Sequence, residues 1–156
     1  MTTSLSKRSE TKLLGTLVER DKHADELLAT RYDILNQRLV EAELHLRGLR
    51  PIHSVWVEYG HSSHPDGGPM EWEVLGITKL KERLQEKWRI CHGEGREGSD
   101  FIVENLKPII DCPVEMRVRA AGVVGKLHEA IVKSKEAYVP QVDAAIRELT
   151  DLCARI

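Results

Sequence analysis

Apolar side chains recur at alternating spacings of four and three residues through the first third of the chain. This spacing is a heptad pattern, which places the repeated side chains on one face of a helix. They are Leu28, Tyr32, Leu35, Leu39, Ala42, Leu46 and Leu49, and we call them the N-terminal stripe. Upstream, Asp21 and Asp25 fall on the same face and interrupt it. We therefore expect a long N-terminal helix with Gly48 as its left-handed cap and Pro51 as its stop.

In the middle of the chain, the side-chain pattern changes to an alternation with a period of two residues. His53–Tyr59, Glu71–Thr78 and Lys87–His92 are rich in β-branched and aromatic residues, which is typical of strands. In the first of these segments, Trp56 points away from the face that carries the valines. The segment Gly60–Pro69 is dense in turn-forming residues, so we expect a loop there. The pattern predicts a small three-stranded antiparallel sheet.

Part of this β region also fits a helix. Leu80, Leu84 and Trp88 lie four residues apart, as they would on one face of an amphipathic helix over residues 78–91. The β-branched residues on either side prefer strands. A β-meander is therefore favoured, and the helix stays open as the alternative.

Helical periodicity returns in the last third of the chain. We expect a short helix around Phe101–Leu106, and Pro113 can occupy the first turn of a longer helix. The near-heptad positions are Val114, Val118, Ala121, Gly125, His128 and Ile131, followed by Val142, Ala145, Leu149, Leu152 and Ile156. Pro140 removes a backbone donor, so this helix should kink or split near Tyr138.

Together these segments predict an α+β fold in one domain, residues 1–156. A long helix (1–50) precedes a β-meander with its loops (51–98), and two C-terminal helices follow (99–156). We expect the helices to pack as a helical bundle or coiled coil, because each heptad stripe has to bury its apolar area.

Composition narrows the class of protein. The 23 basic and 25 acidic residues give a net charge of −2, which argues against a strongly polyanion-binding protein. No apolar run reaches the length of a membrane span, and the polar N-terminus lacks the apolar core of a signal peptide. Cys91, Cys112 and Cys153 are odd in number and widely spaced, as is typical of reduced thiols. We therefore expect a cytoplasmic protein that does not enter a membrane.

The segment Gly93–Gly98 matches the G-x-G-x-x-G pattern of dinucleotide-binding turns. Such a site requires a βαβ unit with a second parallel strand, which the pattern here does not predict. Glu94 and Glu97 would also repel a pyrophosphate. A hinge is favoured, and we expect no bound cofactor.

The loop between the first two predicted strands contains His61, His64 and Asp66. Imidazole and carboxylate are ligands of zinc and of non-haem metals, so a metal-assisted hydrolase is one alternative function. Solvated loop histidines are the favoured interpretation, because turn-rich loops are surface segments.

A basic stretch surrounds Trp88 and provides a second alternative. Basic residues with an interleaved aromatic can bind single-stranded nucleic acid through phosphate contacts and stacking. The residues are Lys79, Lys81, Arg83, Lys87 and Arg89. Glu82 and Glu86 interrupt the stretch, so a solvated surface is favoured and nucleic acid is not the expected partner.

The favoured function is a non-catalytic protein-interaction or regulatory accessory module. Trp56, Trp72 and Trp88 are candidate anchors for a partner protein, because tryptophan is enriched in interface hot spots. Leu35 and Leu39 of the N-terminal stripe are candidate contacts between copies. We therefore expect a protein partner, self-association as a homodimer, or both, and no catalytic residues.

Overall fold

The computed structural model describes residues 3–62, 71–96 and 102–155, with the side chains of 9–61, 71–96 and 102–155. The elements are α1 (Thr3–Gly48), β1 (Val55–Ser62), β2 (Glu71–Glu82), β3 (Gln85–Arg96), β4 (Ile102–Pro108), a 3-10 turn (Ile109–Asp111), α2 (Val114–Ala121) and α3 (Val124–Arg155). By its contacts the chain divides into two units, Met1–Arg38 and Leu39–Ile156. The mixture of helices with an antiparallel sheet confirms the α+β class, and the long N-terminal helix is present.

The described strands form one antiparallel sheet in the order β1-β2-β3-β4, which is one strand more than the three predicted. β2 and β3 pair residue by residue along their whole lengths. This pairing confirms the β-meander and excludes the helical alternative over residues 78–91. Arg83 makes the turn between the two strands in a left-handed backbone conformation, with φ 56°.

The additional strand is β4, which lies where the sequence predicts a short helix around Phe101–Leu106. Ile102 pairs with Arg96 and Val103 pairs with Gly95 of β3. The helix prediction is wrong because pairing with β3 satisfies backbone donors and acceptors that a helix of one or two turns leaves open. The first residue of the predicted helix lies outside the described residues.

The left-handed residue after α1 is Arg50, with φ 52°, and not Gly48 as predicted. The amides of Leu49 and Arg50 donate to the carbonyls three residues earlier, at 3.2 and 3.0 Å. Pro51 disfavours the right-handed helical conformation for the residue that precedes it, so the chain leaves the helix at Arg50.

α2 starts directly after Pro113, as the sequence predicts. The two C-terminal helices are separated at residues 122–123, whereas α3 continues through Pro140. The predicted split near Tyr138 is therefore wrong, whereas the kink stays a prediction. This part of α3 is exposed, so water can bind the carbonyl of Glu136, which Pro140 leaves without a helical donor.

The hydrophobic core lies against one face of the sheet, which we call the inner face. Its fully buried large members are Leu75, Ile77 and Ile90 from the sheet, Leu46 from α1, and Leu127 and Ile131 from α3. Nearby, the rings of His45 and His128 stack with centroids 5.4 Å apart. The last turns of α1 and the first turns of α3 therefore share one core with the sheet.

Candidate interaction surfaces

The opposite face of the sheet, which we call the outer face, carries two of the three tryptophans. Trp56 and Glu58 of β1 and Trp72 and Val74 of β2 line a cavity of about 250 Å³. The valines on either side of Trp56 pack with the core, which confirms the predicted alternation along β1. The cavity combines two indole rings with one carboxylate, an arrangement suited to a side chain of a partner protein.

The indole of Trp56 lies on the backbone of β2. Gly76 is opposite Trp56 in the sheet, and a methyl group there would overlap three atoms of the indole ring, including Cζ3 at 2.6 Å. A methyl group on Gly93 of β3 would overlap Val103 and lie 3.2 Å from Leu106, both of β4, but it would be in ordinary contact with the indole at 3.5 Å. Gly76 therefore makes the room in which the indole packs, whereas Gly93 makes room for side chains of β4.

Gly76→Ala is expected to lower the free energy of unfolding by about 1–3 kcal/mol, because the new methyl group forces Trp56 out of its position. Gly125→Ala is the matched control, since beyond its chain neighbours and the adjacent backbone of its own helix no described atom lies within 4 Å of its added methyl group. Because Gly125 lies in the first turn of α3, this control should leave the free energy of unfolding unchanged or raise it by no more than about 0.5–1 kcal/mol. Urea unfolding measures the free energy of unfolding of both variants. Equal changes in the two variants would show that Trp56 does not pack against Gly76.

The third tryptophan, Trp88, belongs to the inner face and packs partly buried against the core. The ammonium of Lys79 lies 5.4 Å from the centroid of its ring, a distance typical of a cation–π interaction. The structure thus brings Trp56 and Trp72 to one surface and places Trp88 on the other side of the sheet.

The N-terminal stripe is divided between solvent and core. Leu28 is 47% exposed and Leu35 is partly buried, whereas Leu39 and Leu46 are 3% and 0% exposed. The C-terminal part of this stripe is therefore already covered by the chain itself.

A second apolar stripe lies in solvent on α3. Val139, Val142, Ile146, Leu149 and Cys153 follow one another at spacings of three and four, and we call them the α3 stripe. The four aliphatic side chains are 41–61% exposed, and Cys153 is also exposed. The sequence prediction included Val142 and Leu149 but missed Val139 and Ile146, because the helix was expected to break near the proline. The unbroken spacing across that proline is the signal that identifies them.

An apolar groove adjoins the α3 stripe at the end nearer the sheet, with a volume of about 480 Å³. It is lined by Leu49, Ile52, Val132, Lys135, Glu136, Tyr138, Val139, Val142 and Asp143. The ammonium of Lys135 donates to the carbonyl of Leu49 at 2.8 Å, which ties α3 to the end of α1. The groove and the α3 stripe form one continuous apolar surface, because Val139 and Val142 belong to both.

A polar cluster lies at the edge of the inner face, where the pairing of β1 and β2 shifts next to Tyr59. The Tyr59 hydroxyl lies 2.6 Å from Nδ1 of His92. Burial lowers the pKa of His92, against the charges of Glu73 and Glu94, which raise it. Burial also raises the pKa of Tyr59 above its ordinary range. Both groups are therefore neutral near pH 7, and the hydroxyl and Nδ1 share one hydrogen bond whose direction follows the tautomer of His92.

Arg119 covers this pair from α2. Its guanidinium contacts Glu73 at 2.5 and 3.3 Å and lies 5.5 Å from the centroid of the Tyr59 ring. The side-chain hydrogen bond to Glu73 raises the pKa of Arg119. The cluster thus fixes α2 to the sheet through a two-point ion pair above an aromatic ring.

Tyr59→Phe is expected to lower the free energy of unfolding by about 1 kcal/mol near pH 8, because Nδ1 of His92 loses its hydrogen-bond partner. The unmodified chain should itself be less stable near pH 5. Because burial lowers the folded-state pKa of His92 from 6.5, the unfolded state binds the proton first, and stability falls as the pH drops through and below 6.5. Urea unfolding at both pH values measures this, and an unchanged pH slope in His92→Asn would contradict the assignment.

The basic stretch forms part of the hairpin of β2 and β3. Arg89 pairs with Glu43 at 2.9 Å and with Glu82, and Lys87 lies 3.8 Å from Glu82. The same Glu43 carboxylate accepts the backbone amide of Ile90 at 2.9 Å. Lys81 and Arg83 are exposed. Part of the positive charge is therefore neutralised within the chain, and nucleic-acid binding by Lys79, Lys81, Arg83, Lys87 and Arg89 remains a prediction.

Of the predicted metal ligands, His61 is an exposed residue of β1, and its Nδ1 lies 4.0 Å from the Glu58 carboxylate. His64 and Asp66 lie outside the described residues. Within the part of the chain that the structure describes, no three histidine, cysteine or acidic side chains gather as metal ligands would.

No protein-family model, no curated protein and no solved structure matches this chain. Among the described helices, none combines the length and the apolar composition needed to cross a membrane. The arrangement that the described residues do show is a sheet with a helix-covered inner face, a tryptophan cavity on its outer face and an exposed apolar stripe on α3.

Proposed function

We propose that this protein is a non-catalytic protein-interaction or regulatory accessory module that joins copies of itself through heptad-patterned helices. The cytoplasmic location expected from the sequence belongs to the same proposal. The observation that carries it is the α3 stripe, which the folded chain leaves in solvent. Apolar patches of this kind, rimmed by polar residues, are typical of protein–protein contacts.

The stability of α3 supports the proposal. Residues 135–155 are all exposed, so this stretch of the helix gains little from packing within the chain. Most helical stability in proteins comes from packing an apolar face against another element. A helix that carries an apolar stripe along this length is therefore best stabilised by a second helix.

The outer face supplies the second part of the proposal, a docking surface for a partner protein. Trp56 and Trp72 flank the carboxylate of Glu58 around the cavity of about 250 Å³. Indole rings bury a large rigid area at a small cost in conformational entropy, which suits them to anchor a partner. In this proposal the helices join copies, and the outer face remains free for the partner.

The solution mass of the reduced chain tests the self-association. We expect light scattering to give twice the chain mass of 17.7 kDa at high concentration, with dissociation on dilution. A mass of 17.7 kDa at every concentration up to millimolar would contradict the proposal. The tryptophans on the outer face would then be the remaining surface on which a partner could be sought.

A further inference from the structure

We propose that two copies of this chain pair through the α3 stripe as a parallel, in-register, two-stranded coiled coil. This inference rests on the proposed function, and it adds the surface, the occupant and the orientation. The occupant is a second copy of α3, lying alongside the first with Val139 next to the partner's Val139 and Cys153 next to the partner's Cys153.

The residue types along the stripe favour this arrangement. Alternate spacings of three and four assign Val139, Ile146 and Cys153 to heptad position a, and Val142 and Leu149 to position d. In parallel coiled coils, β-branched residues at a combined with leucine at d favour two strands. Both aliphatic a residues are β-branched, and the second d residue is leucine.

The flanking positions are compatible with parallel pairing. In a parallel pair, position g of one helix meets position e of the other. Here Tyr138 meets the partner's Asp143, and Ala145 meets the partner's Thr150, so neither contact opposes like charges. The Tyr138 hydroxyl can donate to the Asp143 carboxylate. By contrast, the antiparallel register that places Val139 against the partner's Leu149 would bring Asp143 against the partner's Asp143.

The rest of the structure shows where the pairing begins. Lys135 occupies the d position before Val139, and its ammonium is bonded to the carbonyl of Leu49 in its own chain. The seam can therefore start at Val139, next to the apolar groove of about 480 Å³ that Val139 and Val142 also line. Asp143, which the partner's Tyr138 would contact, also lines this groove. The partner's Tyr138 would therefore approach the groove from the side on which the second helix lies.

The α3 stripe is a better seam than the exposed part of α1. The α3 stripe holds five consecutive a and d positions without a charged residue. In α1, Asp21 and Asp25 fall on the corresponding face, and a charge on an apolar seam has to be desolvated on pairing. Farther along α1, Leu39 and Leu46 of the N-terminal stripe are already buried within their own chain.

Cys153 provides the test, because parallel in-register pairing sets its thiol next to the partner's Cys153. The purified full chain is treated with diamide, which takes up the two protons and two electrons that two thiols lose as they form a disulfide. We expect a covalent dimer on non-reducing electrophoresis that Cys153→Ser abolishes. Cys91 and Cys112 are buried, at 0% and 4% exposure, and should not contribute.

Two further variants in the Cys153→Ser background distinguish the orientation. Ile146→Cys puts a thiol at a second a position, whereas Ala144→Cys puts one on the far side of the helix. We expect Ile146→Cys to cross-link at least about tenfold faster than Ala144→Cys, because pairing raises the local thiol concentration only at the seam. An antiparallel pair can bring at most one position next to itself, so cross-linking at both 146 and 153 excludes it.

Each outcome decides between the inference and the proposed function on which it rests. A dimer by light scattering that does not cross-link at Cys153 would overturn the parallel pairing and leave the interaction module standing. Cross-linking at only one of the two a positions would overturn it in favour of an antiparallel register. A monomer that cross-links no faster at Cys153 than at the Ala144→Cys position would overturn both.

Discussion

Leu46→Ala is expected to lower the free energy of unfolding of the chain by about 2–5 kcal/mol, because it leaves a cavity in the core. Leu46 is 0% exposed and packs in the same cluster as Leu75 of the sheet and Leu127 of α3. Its side chain is therefore enclosed by three elements of its own chain. Urea unfolding measures this loss of stability. The slope of the unfolding free energy against urea concentration should stay unchanged.

Leu44→Ala is the matched control for this substitution. It removes the same atoms from the same helix, but Leu44 is 59% exposed, so the expected loss is within about 0.5 kcal/mol. If the N-terminal stripe instead formed a seam between copies at this point, Leu46→Ala would lower the solution mass and leave the stability of the monomer nearly unchanged. That result would contradict the core described for α1.

Leu149→Asp is expected to weaken self-association by more than about a hundredfold, because the carboxylate would have to lose its water inside an apolar seam. Leu149 is 61% exposed in the folded chain, so the substitution should change the stability of the monomer by only about 0.5 kcal/mol. Light scattering on a dilution series measures the change in the dissociation constant.

Ala144→Asp controls for the added charge and for the lower helix propensity of aspartate. It lies on the same helix, two residues (about half a turn) before the seam position Ile146 and therefore on the side opposite the α3 stripe. The control should associate as the unmodified chain does. Equal weakening by the two variants would mean that charge or helicity, and not burial of the α3 stripe, governs the association.

Local pattern was enough to predict most elements of this fold. The period of two in β1 placed Trp56 opposite the core, and the strand preference of the residues on either side favoured a hairpin over residues 78–91. Both signals are local, because they depend on the alternation and the strand propensity of neighbouring residues. The same alternation applied to Trp88 and Ile90 would have placed Trp88 on the inner face.

The errors concern features that depend on distant partners. Residues 102–108 form β4 because the edge of β3 is available to pair with them, which no local propensity reports. The heptad pattern correctly predicted a helix over residues 28–49, but it could not tell whether another helix or a sheet would cover that face. The structure places Leu46 against the sheet and leaves Val139 and Ile146 in solvent.

Hydrogen exchange of the α3 stripe in the unmodified chain tests the central claim most directly, with Leu149→Asp as the dissociated reference. We predict that amides of residues 139–153 exchange much more slowly in the unmodified chain than in Leu149→Asp, because pairing suppresses local opening of the helix. The amides of β2 and β3 should exchange equally in both and serve as the internal reference. Equally fast exchange of residues 139–153 in both proteins would contradict the claim that α3 is the surface through which two copies associate.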